Sequence, residues 1–222
     1  MTVCDPARTP AAARTADAPA TVPVALRRLR PPPAAAPGPV VRRDEVPPWT
    51  WTGLHLDGAL VPLWRDTARV AGVPEDAAVR AAAFAALVPR RGAVGRLAAA
   101  WVHAGGPPPA RVTVLVRSGA RRPAPHPDRT TAEAELADDD LETHGGVLVT
   151  TVTATAVDVA RWVPTATAVR VLRSLLPCGL DPTVALRRLE SHSGGRGLRA
   201  ARVALGQVGL PGTTGEHGDV SG

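Results

Sequence analysis

The uneven distribution of proline is the feature that most limits what this chain can fold into. Many of the 24 prolines in the 222 residues lie before Trp49, including the uninterrupted run Pro31-Pro32-Pro33. Proline fixes φ and has no backbone N–H, so it is excluded from helix interiors and central strands. A stretch rich in Pro, Ala, Thr and Arg also buries too little apolar surface to offset the entropy lost on ordering. We therefore predict a disordered tail over residues 1–47. A solvated tail is favoured over a binding arm, although TVPVALRRLR suits one short basic helix.

The core that follows this tail has to be built from small aliphatic residues. Hydrophobic residues make up 45% of the chain but aromatic residues only 3%, and Tyr is absent. The formal net charge is +6, and Arg supplies all of the permanently basic side chains. A mildly basic surface attracts phosphate backbones or acidic partners without specifying which. The composition thus fits a globular protein with one principal domain and leaves its partner open.

No segment of the sequence predicts export or membrane insertion. The N-terminus carries Asp5 and lacks the uninterrupted apolar stretch of a signal peptide, and nowhere do about 18 apolar residues run together. Cys4 and Cys178 lie far apart and have no CxxC partner, so neither a disulfide nor a thiolate metal site is expected. We expect a cytoplasmic protein that makes no contact with a membrane.

Local patterns after the tail alternate between strands and helices. Apolar residues on both sides of Asp57-Gly58 predict a β-hairpin with strands over Trp51–Leu56 and Ala59–Leu63, since Asp-Gly is a strong turn signal. Further strands are predicted over 111–116, 131–136 and 146–151. Helices are predicted over 74–87, within AVGRLAAAWVHAGG and in four segments from Thr155 onwards. This order predicts an α+β fold, in which helices cover a small mixed β-sheet.

No constellation of side chains in the sequence predicts catalysis or a cofactor. The histidines show neither HxxxH nor HxH spacing, which argues against a zinc site, and GxSxG is absent. The run Asp138–Asp140 is interpreted as a solvated loop. Thr155 with Asp158 is interpreted as a capping box for a following helix, and His103 as a packing or capping residue at a helix end. We therefore expect no catalytic residue, no metal ion and no cofactor.

The candidate anion-binding residues are arginines near the end of the sequence. They are Arg187, Arg188, Arg196, Arg199 and Arg202. The segment SHSGG precedes a helix whose free N–H groups suit a phosphate, and the last three arginines fall close together on one side of that helix. A solvated basic face is favoured over nucleic-acid contact, so any nucleic-acid binding is expected to be weak.

Three segments of the sequence resemble actinobacterial AbiEi-type antitoxins. In LVTTVTATAVDVAR, the resemblance is carried by Thr150, Thr151, Thr155, Asp158 and Arg161. Val152 and Ala154 depart from the Pro and Arg that are usual at these positions. Upstream, Trp101 and His103 belong to an Ala-Ala-Trp-x-His helix before a Val-rich strand, and LDGALVPLWRDTARVAG is similar to the wing hairpin and linker of the family. Together these segments cover roughly residues 50–208 in the order of the family.

The resemblance implies an antitoxin of a type IV toxin-antitoxin system. Such an antitoxin counteracts a nucleotidyltransferase-like toxin without forming a stable complex with it, here through an antitoxin domain over residues 74–208. Residues 48–73 would be a wing-like hairpin and linker. The helices that usually precede the wing are replaced by the Pro/Ala-rich tail, so operator binding is not expected to be strong.

Some relatives end in a nuclease-like domain, whereas residues 209–222 predict only a second disordered tail. Two alternatives stay open: a DNA-binding transcriptional regulator, and a non-catalytic remnant of a nuclease-bearing relative.

Overall fold

The computed structural model describes residues 38–191 and 196–209, in which helices and strands form an α+β fold, as predicted. The strands are β1 (Val40–Arg42), β2 (Leu60–Trp64), β3 (Thr67–Val70), β4 (Gly92–Gly95), β5 (Val112–Arg117), β6 (Arg129–Ala134), β7 (Leu141–His144) and β8 (Val147–Thr150). The helices are α1 (Pro48–Leu56), α2 (Ala77–Ala82), α3 (Arg96–Ala104), α4 (Val152–Trp162), α5 (Thr165–Leu175), α6 (Pro182–Glu190) and α7 (Leu198–Gly209). Most of the two expected tails lies outside the described residues.

An antiparallel sheet of three short strands opens the described part of the chain. Its order is β1-β3-β2, with Val41 opposite Ala68 and Val61 opposite Arg69. Strand β1 lies inside the stretch 1–47, so the prediction of disorder is wrong for residues 38–47. Pro39 is tolerated at this edge because its carbonyl oxygen still accepts the Val70 N–H, at 3.0 Å.

The prediction of a hairpin around Asp57-Gly58 is wrong, and a different hairpin follows one element later. The hairpin joins β2 to β3 through a two-residue turn at Arg65-Asp66, and the expected strand over Trp51–Leu56 is part of helix α1. Pro48 is preset for the first turn of a helix, and Gly58, at φ 69°, takes the left-handed position after its end. Asp57-Gly58 therefore ends a helix instead of reversing a strand.

The central sheet has five strands in the order β6-β5-β4-β8-β7. Strand β5 pairs parallel with β6 and antiparallel with β4, whereas β8 pairs parallel with β4 and antiparallel with β7. The strands predicted over 111–116, 131–136 and 146–151 correspond to β5, β6 and β8. Strands β4 and β7 were not predicted, because GAVG is half glycine and LETH has no apolar alternation.

Helix α3 lies between the two hydrophobic cores. Ala98 and Val102 belong to the core on the sheet, together with Phe84 and Val114, whereas Ala100 belongs to the core formed by α4, α5, α6 and α7. Both cores consist mainly of Ala, Val and Leu, as the composition predicts. The position of α3 puts its last turn, with His103, next to the ends of β7 and β8.

The helices after the hairpin are confirmed in position, with some changes at their ends. Asp76 caps α2 by accepting the Val79 N–H at 2.8 Å, but α2 ends at Ala82 and not near Leu87 as predicted. Asp181 caps α6, as the Asp-Pro pair indicates. None of the helices among the described residues has the length and apolarity to cross a membrane.

Candidate functional site

Several residues of the antitoxin-like segment gather around one open cleft. The cleft has a volume of about 340 Å³ and lies between strands β5, β6 and β8 and helices α4 and α6. Its lining includes Glu133, Asp140, Thr150, Asp158, Arg161 and Arg188. Acidic and basic groups thus share a concave surface large enough for a small ligand or for side chains of a partner protein.

A buried pair of threonine hydroxyls connects the cleft to α3. The Oγ1 atoms of Thr150 and Thr155 lie 2.6 Å apart, and the Thr155 hydroxyl donates to the Thr150 carbonyl oxygen at 3.0 Å. Only 1% of Thr150 and 0% of Thr155 is exposed. The Nε2 atom of His103 lies 2.7 Å from the same carbonyl oxygen. His103 of α3 and Thr155 of α4 therefore both contact Thr150 of β8.

Helix α4 is capped by Thr151, so the predicted capping box of Thr155 and Asp158 is wrong. The Thr151 hydroxyl accepts the Ala154 N–H at 3.4 Å, and Thr155 lies one turn inside the helix. The Asp158 carboxylate instead accepts a hydrogen bond from Nε of Arg96 at 3.3 Å. The Thr-x-x-Asp pattern predicted the start of the helix too late, because the helix already begins at Val152, directly after β8.

Trp162 stands at the cleft between two arginines. Its side chain is 42% exposed, and the guanidinium groups of Arg96 and Arg161 lie 5.2 and 5.5 Å from its ring, close enough for cation–π attraction. Arg96 has a φ of 54°, which is uncommon for a residue with a side chain. Backbone strain of this kind clusters at functional sites.

An ion pair with a buried carboxylate lies at the α6 side of the cleft. Arg188 donates to both carboxylate oxygens of Asp140, at 3.2 and 2.6 Å. Asp140 is 7% exposed, and its hydrogen bond raises the pKa of the Arg188 guanidinium. Two expectations are corrected here. Asp140 is not part of a solvated run, and Arg188 is already held by a carboxylate and is not free for an anion.

The other candidate anion-binding arginines lie on the surface. Arg187 on α6, Arg199 and Arg202 on α7, and Arg196 just before α7 are all exposed. The carbonyl oxygen of Arg196 also accepts a hydrogen bond from Nε of Arg161, at 3.4 Å. Ser193, which the sequence places before the helix as an anion contact, lies outside the described residues.

A second polar cluster was missed by the sequence analysis. His103 at the end of α3 lies beside Glu142 and His144 of strand β7, and their potential ligand atoms all lie within 4.8 Å of one another. Residues two apart on a strand point to the same face, so Glu142 and His144 reach His103 together. A search for HxxxH or HxH does not find a Glu-x-His strand that meets a distant helix.

Helix α1 exposes large apolar side chains. Trp49 is 77% exposed and Leu56 83% exposed. The arginines nearby are engaged in ion pairs. The side chain of Arg65, at the hairpin turn, lies 3.0 Å from Asp128, and that of Arg43 lies 3.5 Å from Asp66. Much of the positive charge beside α1 is therefore neutralised within the chain.

Comparison of the chain with protein-family models gave no match, and neither did comparison with curated proteins. The resemblance to AbiEi-type antitoxins thus remains an expectation from the sequence motifs.

Proposed function

We propose that this chain is an antitoxin-like regulatory protein that counteracts a nucleotidyltransferase-type toxin, without catalysis of its own. The observation that carries the proposal is the position of the motif residues Thr150, Asp158 and Arg161 around a single cleft. Thr150 ends β8, and Asp158 and Arg161 lie three residues apart on the helix α4 that follows it. Their convergence on one surface supports a shared role.

Trp162 and its two arginine neighbours support contact with another macromolecule. Trp and Arg are enriched among the residues that dominate binding free energy at protein interfaces. The guanidinium groups of Arg96 and Arg161 already lie against the indole, so little side-chain entropy would be lost on binding. We expect the contact to be transient, because the proposed antagonism involves no stable complex.

Co-expression of the full chain with a nucleotidyltransferase-like toxin, sought among the genes beside its own, tests the proposal. Growth that the toxin arrests should recover when the chain is present. Arg161→Ala and Trp162→Ala should lose this recovery at unchanged protein level. Arg170→Ala is the matched control, because Arg170 is an exposed arginine of α5 that lies outside the cleft lining and donates a local hydrogen bond to Thr167. No recovery with the wild-type chain would refute the proposal, and full recovery with both cleft variants would refute the cleft as its site.

A DNA-binding transcriptional regulator is the second candidate, favoured by the arrangement around α1. A short helical turn (Arg43–Glu45), helix α1 and the β2-β3 hairpin follow one another, and β1 pairs with β3. This is the order of the second half of a winged helix-turn-helix. A recognition helix contacts base edges through its N-terminal residues, where α1 exposes Trp49 and Thr52. Helix α1 contains no Arg or Lys, so we expect weak binding.

Fluorescence anisotropy with DNA from the chain's own promoter tests this second candidate. Thr52→Ala should weaken binding to that DNA more than to a shuffled sequence, if α1 contacts bases. Replacing Arg196, Arg199 and Arg202 together by Ala should weaken binding to both and flatten the salt dependence, if α7 contacts phosphates. Equal affinity of the wild-type chain for promoter and shuffled DNA would exclude sequence-specific regulation.

A further inference from the structure

The cluster of His103, Glu142 and His144 has the geometry of a metal site. The Nδ1 atom of His103 lies 3.7 Å from Oε1 of Glu142, and Nε2 of His144 lies 3.3 Å from the same oxygen. Ligand atoms at about 2.0–2.2 Å from a tetrahedral Zn²⁺ lie roughly 3.4 Å from each other. Two of the three ligand separations are therefore close to those of a zinc site. The third, between the two imidazoles, lies within the 4.8 Å span of the group.

The hydrogen bond of His103 to Thr150 leaves its Nδ1 atom available to bind a metal ion. Its Nε2 atom lies 2.7 Å from the Thr150 carbonyl oxygen, which can only accept a hydrogen bond, so Nε2 carries the proton. The Nδ1 atom of the neutral ring then presents its lone pair towards Glu142. A histidine that binds a metal ion through one ring nitrogen usually donates a hydrogen bond from the other, often to a carbonyl oxygen, and this fixes the orientation of the ring.

The Nε2 atom of the second imidazole, that of His144, has no hydrogen-bond partner among the described residues. The Nε2 atom of His144 is buried and makes no hydrogen bond, although Glu142 lies nearby. A buried polar atom without a partner is unfavourable, and a metal ion in the cluster would remove this cost. The side chain of Glu142 is 39% exposed and that of His144 26%, so an ion can enter from solvent.

The charges around the cluster permit a cation. Glu142 contributes one negative charge. The positive group that faces the cluster is Arg80, which donates to the His103 carbonyl oxygen at 3.3 Å. Its guanidinium is also held by the Glu75 carboxylate, at 3.6 Å, and by two further backbone carbonyl oxygens. Arg80 is thus oriented towards the end of α3 and paired with a carboxylate of its own.

We propose that His103, Glu142 and His144 bind a divalent transition-metal ion, with water at the fourth position. Two imidazoles and one carboxylate suit Zn²⁺, whereas Mg²⁺ prefers an octahedron of oxygen ligands. The ion would join the end of α3 to β7, the edge strand of the central sheet. This inference is independent of the proposed antitoxin function.

Titration of the full, tag-free chain tests the proposal after treatment with a chelator and dialysis. Calorimetry and competition with a chromogenic chelator should show one Zn²⁺ per chain, and an excess of Mg²⁺ should not compete. Binding should weaken when the pH is lowered from about 7.5 to about 5.5, because protons compete for the imidazole nitrogens. Absence of binding in the wild-type chain would overturn the proposal.

Two variants and a matched control locate the site. His144→Ala and Glu142→Gln should each lower the affinity for Zn²⁺ by more than the 10–100-fold that loss of a group outside the coordination sphere costs. The control is His126→Ala, because His126 is exposed and lies outside the cluster. One bound Zn²⁺ with unchanged affinity in both cluster variants would refute the assignment.

The Co²⁺ form of the wild-type chain adds a test that does not depend on how the variants fold. A tetrahedral site gives intense visible absorption, and this is the spectrum we expect. The weak spectrum of octahedral Co²⁺ would count against the proposal.

Discussion

Replacing Thr155 by valine removes one hydroxyl of the buried threonine pair and keeps the shape of the side chain. The Thr155 hydroxyl donates to the Thr150 carbonyl oxygen, so the Thr150 hydroxyl donates to Thr155 Oγ1. In Thr155→Val the carbonyl keeps its contact with His103, but the Thr150 hydroxyl, 1% exposed, loses its acceptor. A buried polar group left without a partner costs about 1–3 kcal/mol. We expect this loss in the free energy of unfolding.

A double-mutant cycle separates this pair from a helix cap. Replacing both partners of a buried hydrogen bond by apolar groups of the same shape is nearly neutral. Thr150→Val/Thr155→Val should therefore be more stable than Thr155→Val alone, with a coupling energy of about 1 kcal/mol or more. Thr151→Ala, which removes the observed cap, should cost about 1 kcal/mol independently. Urea unfolding followed by tryptophan fluorescence measures each free energy. Additive effects of the two valines would refute the hydrogen-bonded pair.

Two further predictions concern other buried contacts. Gly95→Ala should lower the free energy of unfolding by about 1–3 kcal/mol, since the new Cβ would lie 2.4 Å from Cδ1 of buried Leu115; urea unfolding would show it. Asp140→Asn should cost about 1–3 kcal/mol by the same measurement, less than for a fully buried pair, because the Arg188 side chain is 34% exposed.

Because burial lowers the pKa of His103, the unfolded chain binds more protons than the folded chain between that lowered pKa and the ordinary value of about 6.5. Stability should therefore fall as the pH drops below about 6.5, and His103→Gln should flatten the dependence. An unchanged pH profile in the variant would contradict this origin.

Strong local signals were enough to predict many elements from the sequence. The β-branched run of β5, the Ala-rich helix before Gly105 and the Asp181-Pro182 start of α6 are each specified by neighbouring residues. The errors fell where two local signals compete. Pro48 and Gly58 together favour a helix, and this outweighed the hairpin signal of Asp57-Gly58 because a helix between them satisfies both.

The sequence by itself determined that the core consists of Ala, Val and Leu, that Gly and Pro separate short elements, and that the surface is mildly basic. Only the tertiary structure decided which polar side chains meet. Thr150 contacts His103, which is 47 residues away in the sequence, and Asp140 contacts Arg188, which is 48 residues away. No local sequence pattern predicts contacts between residues so far apart. The unpredicted strand β7 carries Glu142 and His144 to His103. The physical reason is that these partners are selected by sheet pairing and helix packing, which act between segments far apart in the chain.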